Sequence, residues 1–308
     1  MKLIIQIPCF NEEESIPIAV SCLPRTVKGF ESVEWLIIDD GSSDQTVRIA
    51  RKCGIDHVIK HQHNKGLATA FMSGINACLE LGADVIVNTD ADNQYNAEDI
   101  PKLTQPILQG EAEIVIGERP ISEIAHFSPL KKSLQKLGSW MVRIVSETNV
   151  KDAPSGFRAF TRDAARQLTV FNEYTYTLET IIQAGQKNIS LTSVPIRTNQ
   201  DLRPSKLVKS KRSYIQKSIV TMIRIFAIYR PLRFFSFISL VLLVSGISIG
   251  IRYILLLFAG DGDGHIQSLI LASILTVTGF QAILFGFIAD LQAANRKLLE
   301  GIRYDLRK

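Results

Sequence analysis

At 308 residues the chain is long enough for one large domain or two smaller ones with a substantial core. Its formal charge of +5 is unevenly placed: residues 1–202 carry 20 Lys and Arg against 25 Asp and Glu, whereas residues 203–308 carry 15 against 5. The basic part is also very apolar, with its cations flanking apolar runs instead of lining a polar groove. That pattern points to a membrane and argues against a nucleic-acid partner.

KLIIQIP, at the start, reads as a strand; its apolar run is too short, and too soon broken by Pro8, to be a signal peptide. A helix is expected from about Glu13. VEWLIIDD reads as the next strand, followed by the turn GSSD and a helix from about Asp44. HVIKH, ADVIVNTD and AEIVIG follow as strands, separated by helical-period segments such as GLATAFMSGINACLEL. The alternation predicts an α/β domain over residues 1–202, built on a mostly parallel, doubly wound, Rossmann-like sheet. Ligands of such sheets sit beyond the carboxyl ends of the strands. Polar clusters fall at those ends: PCFNEE, DDGSSD, DADNQ and GER.

In VIVNTDADNQY an apolar strand runs into Asp90 and Asp92, which share a face if the chain stays extended. Two like charges on one face repel unless a cation sits between them. His57, His61 and His63 are expected at the surface and not as metal ligands. Cys9, Cys22, Cys53 and Cys78 show no CxxC spacing and read as small buried hydrophobes in a reducing compartment. Of the three glutamates after Asn11, Glu13 and Glu14 suit a helix start, where the dipole favours acids.

No acidic residue occurs from position 202 to 260. Residues 203–231 read as a basic amphipathic juxtamembrane segment: Val208, Ile215, Ile219, Met222 and Phe226 recur at helical spacing opposite a basic face, as in helices that lie on anionic membranes. Residues 232–290 read as a transmembrane hairpin, because the runs 234–258 and 266–288 each exceed the roughly 20 residues needed to span the hydrocarbon. Arg252 lies near the end of the first run, where it can snorkel, and GDGDGH supplies the turn. Gly246 and Gly250 have a GxxxG spacing that lets helices approach closely. Residues 291–308 read as a basic cytosolic tail. The Lys/Arg excess predicts that the domain over residues 1–202 and both termini lie on the cytosolic side of the cell (inner) membrane.

Taken together and in order, IPCFNEEESI, IIDDGSSDQT, HNKGLATAFMSGI and VNTDADNQY resemble the family-2 glycosyltransferases of GT-A fold. DAPSGFRAF and RPSKL narrow the resemblance to the polyprenyl-phosphate, dolichol-phosphate mannose synthase-like group, and the hairpin is similar to the anchors some members carry. The resemblance implies inverting transfer of a hexose from a UDP- or GDP-linked donor to undecaprenyl or dolichyl phosphate, for cell-envelope glycan or glycoprotein assembly. It implies Mg²⁺ or Mn²⁺ held by Asp90 and Asp92 with Gln94, and a donor site of Pro8, Asn11, Glu12, Asp39, Asp40, Asp90 and Ala91. It implies an acceptor-phosphate site of Arg119, Lys131, Lys132, Ser133, Arg158 and Lys206, with Asp92 and Arg119 closest to the chemistry and Asp152 organising them. Lysine at 131 and 132, where the family has an arginine, keeps charge but loses the bidentate fork. A homo-oligomer is compatible with this reading.

The acceptor phosphate, with a second pKa of about 6, arrives as a nucleophilic dianion, so no protein base is expected among Glu118, Glu123, Asp152, Glu173 and Glu179. Three rival readings stand beside this one, of which a soluble sugar nucleotidyltransferase would need a Gly-rich, Lys-containing phosphate loop near the N-terminus that the sequence lacks. A polysaccharide synthase would carry Gln-x-x-Arg-Trp, and neither Trp35 nor Trp140 follows an arginine. A non-catalytic membrane scaffold retaining the fold would have no reason to keep Asp90, Asp92 and Arg119.

Overall fold

The computed structural model describes residues 1–120, 129–170, 176–199, 220, 223–260 and 265–305, with the side chains of residues 129–135, 303 and 305 outside the description. The chain divides into two units, residues 1–218 and residues 219–305.

The first unit runs β1 (Lys2–Cys9), α1 (Ile16–Ser21), β2 (Ser32–Asp39), α2 (Thr46–Lys52), β3 (His57–Lys60), α3 (Leu67–Glu80) and β4 (Val85–Asn88). It continues through α4 (Ile100–Leu108), β5 (Ile114–Glu118), α5 (Pro129–Ser146), β6 (Arg158–Thr161), α6 (Arg162–Gln167), α7 (Thr177–Gln186) and β7 (Leu191–Pro195). The seven strands lie in the order β3-β2-β1-β4-β6-β5-β7. Every pairing is parallel except those of β6, which runs antiparallel to both β4 and β5. Leu3, Ile4, Ile5 and Ile7 of β1 and Leu36, Ile37 and Ile38 of β2 are all buried, as expected of central strands covered on both faces.

Several local expectations shift, each for a physical reason. Helix α1 starts at Ile16, not Glu13, because the amides of Glu12 and Glu13 turn instead to Thr46 Oγ1 (2.8 Å) and Asp44 Oδ2 (3.2 Å). Strand β4 ends at Asn88, so Asp90 and Asp92 converge through the following turn and not through strand alternation. His61 is buried, not at the surface, because Asp40 and Ser73 hydrogen-bond both of its ring nitrogens. Cys9 and Cys78 are buried as expected, but Cys22, at the end of the short α1, is exposed, and Cys53 is only half-buried. Strands β6 and β7 are additions: RAFT is too short, and LTSVP too polar, to announce themselves in the sequence.

In the second unit residues 223–229 are helical, followed by α8 (Pro231–Phe258) and α9 (Ile266–Asp305). The two long helices pair antiparallel. Ser239 Oγ donates to the Gly279 carbonyl at 2.6 Å, and Gly286 lies against Phe235. Gly246 permits the closest approach, since a Cβ there would stand 2.7 Å from Thr276 Oγ1 and 3.0 Å from the Ala272 carbonyl; Gly250 makes only ordinary contact. Both helices are long and apolar enough to cross a membrane, and only 11% and 22% of their apolar windows is buried, unlike the core helix of a soluble domain. Helix α9 continues unbroken through most of the expected tail, to Asp305. Its end is made of good helix formers, with an Arg296–Glu300 pair at (i, i+4) and the Arg296 guanidinium over the Tyr229 ring.

Of the basic amphipathic segment expected over residues 203–231, residues 203–219, 221 and 222 lie outside the described residues. Within the rest of it, Val220 and Ile223 are exposed.

Candidate active site

The loops after β1 and β2 are stitched to each other before any ligand arrives. Asn11, in the left-handed region at φ 54°, donates its amide to Ser42 Oγ (2.8 Å) and accepts from Ser43 N (2.9 Å). The Glu12 carboxylate accepts from Ser15 Oγ, and Gln45 N donates to the Glu13 carboxylate at 2.9 Å. Pro8 lies beside Ile38 in the β1–β2 register, which places both loops at the same carboxyl edge of the sheet.

The neighbouring carboxylates Asp39 and Asp40 behave differently. Asp39 is 0% exposed; its Oδ1 accepts from Ser42 N at 3.2 Å, while its Oδ2 is buried with no hydrogen-bond partner among the described residues. A buried acceptor in that state calls for a donor from outside, such as a ligand N–H or hydroxyl. Asp40 has both oxygens engaged: Oδ1 by Lys65 N (2.9 Å) and His61 Nδ1 (2.7 Å), Oδ2 by Gly66 N (2.8 Å). Asp40 thereby anchors the loop that begins α3.

Beyond β4, Asp90 is pushed up to about 7, first by burial and then by the charge of Asp92. The Arg119 charge, a hydrogen bond from the Tyr95 hydroxyl and the Arg158 charge oppose that rise. The Tyr95 hydroxyl also accepts from Gly156 N at 2.9 Å, so it ties the Asp90 carboxylate to the SGFR loop. Gly156 cannot carry a side chain without displacement: a Cβ would stand 3.1 Å from each Asp90 oxygen and 2.9 Å from the Tyr176 hydroxyl. Ala91 is buried, Gln94 is half-buried, and Gln94 N donates to Asp92 Oδ1 at 3.2 Å.

These donors fit a hard divalent cation. They are oxygens, and burial together with the neighbouring Asp92 charge drives Asp90 toward protonation, a cost that a bound cation would relieve. Among the described residues no cluster of three or more His, Cys, Asp and Glu forms a closed cage. Mg²⁺ characteristically binds one or two carboxylates and takes its remaining ligands from water and phosphate oxygens, and an open pair suits it.

Across β6 from this pair stands Arg119, held by Asp152 in a bidentate pair: Nε to Oδ2 at 2.7 Å and Nη2 to Oδ1 at 2.9 Å, with the Arg119 backbone N also donating to Oδ2 at 3.2 Å. Asp152 is fully buried and Arg119 nearly so.

Arg158 is placed otherwise than the resemblance implied. It is 0% exposed, and its guanidinium donates to the carbonyls of Ser155 (2.7 Å), Ala153 (2.7 Å) and Thr177 (2.8 Å) and to Thr180 Oγ1 (2.6 Å). Strand β6 pairs it with Asn88 inside the sheet, so it braces the DAPSG loop against α7 instead of facing an acceptor phosphate. Burial brings it down to about 10.

Lys131, Lys132 and Ser133 lie on α5, with their side chains outside the described residues, as is Lys206 altogether. Four supporting residues, Asn88, Phe71, Tyr95 and Tyr176, emerge only from the structure. Asn88 Nδ2 donates to the Gly156 carbonyl (2.8 Å) and the Tyr176 hydroxyl (2.9 Å), and Tyr176 stacks on Phe71 at 3.9 Å. Only Tyr95, adjacent to Gln94, carried a positional signal.

Paired carboxylates at the carboxyl edge of a mostly parallel sheet, beside a stitched loop rim and a clamped arginine, are the build of a glycosyltransferase. The chain belongs to glycosyl transferase family 2, whose model matches residues 4–169. It is 32% identical over 214 residues to the UDP-N-acetylglucosamine–dolichyl-phosphate N-acetylglucosaminyltransferase of Methanococcus voltae, covering 62% of this chain and 83% of that protein. It is 29% identical to the undecaprenyl-phosphate mannosyltransferase of Micrococcus luteus, covering 67% of this chain and 88% of that one. Among solved structures, glucosyl-3-phosphoglycerate synthase from Mycobacterium tuberculosis, in complex with Mn²⁺, UDP and phosphoglyceric acid, shares the fold. Its TM-score is 0.56 at 17% identity, over 72% of this chain and 78% of that one.

Proposed function

We propose that the protein transfers a hexose from a UDP- or GDP-linked sugar to a polyprenyl phosphate at the membrane, with inversion at the anomeric carbon. The observation that carries this reading is the pairing of opposite charges across β6: an acidic couple, Asp90 and Asp92, that needs a cation, and a clamped arginine, Arg119, suited to an anion. The relatives act, by their names, on dolichyl and undecaprenyl phosphates. Helices α8 and α9 are suited to keep the enzyme at the bilayer where such acceptors reside. Helix α5 carries no acidic residue over 18 positions and exposes Leu137, Ile144 and Trp140 (51%), which suits an acceptor that enters from a lipid surface. The excess of Lys and Arg beside the two apolar helices supports a topology with both termini in the cytosol.

In this reading Asp39 Oδ2 accepts a hydrogen bond from the nucleoside, and the Asn11–Ser43 rim fixes the donor's orientation. Asp90, Asp92 and Gln94 would hold Mg²⁺ or Mn²⁺, which as a Lewis acid stabilises charge on the departing diphosphate. Arg119, fixed by Asp152, holds the acceptor phosphate in line with the anomeric carbon. One phosphate oxygen forms the new C1–O bond as the old one breaks, and the nucleoside diphosphate leaves with the electron pair. Because the acceptor is already an anion, no side chain has to remove a proton.

The test is release of nucleoside diphosphate by purified full-length protein from a panel of UDP- and GDP-sugars. Release that requires both divalent metal and polyprenyl phosphate supports the reading; release indifferent to the lipid opposes it.

A further inference from the structure

The turn that carries Asp90 and Asp92 is held from outside by a short stretch of chain just beyond β7. Asn96 N donates to the Arg197 carbonyl at 3.3 Å, and Tyr95 forms an antiparallel bridge with Thr198. Arg197 engages both oxygens of Asp99, Nη2 to Oδ1 at 2.8 Å and Nε to Oδ2 at 3.3 Å, with its backbone N also donating to Oδ2 at 2.7 Å, which fixes this stretch against the start of α4. Asn199 then closes over the turn itself. Its backbone N donates to the Gln94 carbonyl at 2.9 Å, and its Nδ2 donates to the carbonyls of Asn93 (2.9 Å) and Tyr95 (3.3 Å). A single residue thereby engages three consecutive carbonyls of the turn.

The turn needs such a hold. Asn93 sits at φ 57°, a left-handed conformation that asparagine tolerates better than most side chains but that still leaves the turn without regular backbone pairing of its own. Within the turn, Gln94 N donates to Asp92 Oδ1 at 3.2 Å, a bond that depends on the local backbone conformation. Backbone carbonyls without donors would favour a rearranged turn in which Asp92 is no longer held beside Asp90.

We infer that Asn199 is a positioning residue for the carboxylate turn, holding Asp92 and Gln94 in the geometry that binds the divalent cation. The inference rests on the metal reading given above. It assigns Asn199 no contact with substrate or cation; its side-chain amide acts only through the turn.

The experiment compares the full-length chain in detergent with Asn199→Ala, using Mn²⁺ titration followed by electron paramagnetic resonance and hydrogen exchange of the amides of residues 92–96. Expected results are a melting temperature close to that of the parent, faster exchange confined to the turn, and a Mn²⁺ Kd raised about tenfold, which is 1.4 kcal/mol. Transfer at saturating Mn²⁺ should recover most of its rate, which loss of general structural integrity would not allow. If Asn199→Ala fails to fold, Asn199→Ser, which keeps a hydroxyl donor on a shorter arm, carries the same test with a smaller effect. Unchanged Mn²⁺ affinity and unchanged exchange in the variant, with the parent binding Mn²⁺, would overturn the role of Asn199 alone. A parent chain that binds no Mn²⁺ even with UDP or GDP present would overturn this inference together with the metal reading.

Discussion

Asp152→Asn separates a positioning carboxylate from a catalytic base. Asp152 is fully buried and accepts three N–H bonds from Arg119, at 2.7, 2.9 and 3.2 Å. An asparagine keeps the shape, but it accepts through one atom only and points an N–H at a guanidinium. Removing one partner from a buried ion pair costs about 3–5 kcal/mol, because the other charge is left uncompensated. Expressed as misplacement of Arg119 in the transition state, at 1.36 kcal/mol per factor of ten, that is about a 10²–10⁴-fold loss in rate. Single-turnover transfer at saturating donor, measured across neutral to alkaline pH, reads this out, with nucleotide affinity as the control. The loss should be the same at every pH and nucleotide binding nearly unchanged. Recovery of the rate as pH rises would mean that Asp152 acts as a base, and full activity at all pH values would mean that Arg119 is positioned by something else.

Asp92→Ala should lose orders of magnitude in transfer while folding normally by circular dichroism, and chelation should silence the parent until Mg²⁺ or Mn²⁺ is restored. Because Asp90 is raised from the ordinary carboxylate range to about 7, the metal-free fold binds a proton that the unfolded chain releases between about pH 4 and 7. Its stability therefore falls as pH rises through that window, and calorimetry should show Mn²⁺ displacing a proton below pH 7 with affinity increasing toward neutrality. Gly156→Ala should cost about 1–3 kcal/mol in stability, since the new methyl meets Asp90 and Tyr176 inside ordinary contact distance, and should weaken Mn²⁺ binding in the same titration. Deleting residues 219–308 should leave the first unit folded and able to bind nucleotide, because its sheet and core lie within residues 1–218, but should abolish integral membrane attachment on carbonate extraction.

The five strands read from the sequence are those whose apolar runs carry their own signal, and the polar clusters do lie at their carboxyl ends. What the sequence hid is long-range. Strand β6 spans only four residues, and its direction follows from pairing with β4 and β5, so nothing local shows that Arg158 faces inward beside Asn88. An arginine near a candidate phosphate site reads as a ligand until its donors are found spent on Ala153, Ser155, Thr177 and Thr180. The contrast between Asp39 and Asp40 was equally illegible, because adjacent aspartates differ only in which amides fold back onto them. His61 belongs with these: a histidine in a short edge strand looks exposed until Asp40 is seen to hold it. The two apolar helices were legible because length and composition suffice there, whereas the helical continuation to Asp305 depended on residues with no apolar run to announce it.

The central claim is that the sugar ends on a lipid phosphate. Mass spectrometry of the lipids recovered after incubating the full-length protein with Mn²⁺, polyprenyl phosphate and each nucleotide sugar in turn tests it most directly. One donor should yield polyprenyl phosphate heavier by a single dehydrated sugar residue, absent with Asp92→Ala and strongly reduced with Asp152→Asn. Sugar recovered on a lengthening polysaccharide, or nucleotide released from every donor with no glycosylated lipid, would contradict it.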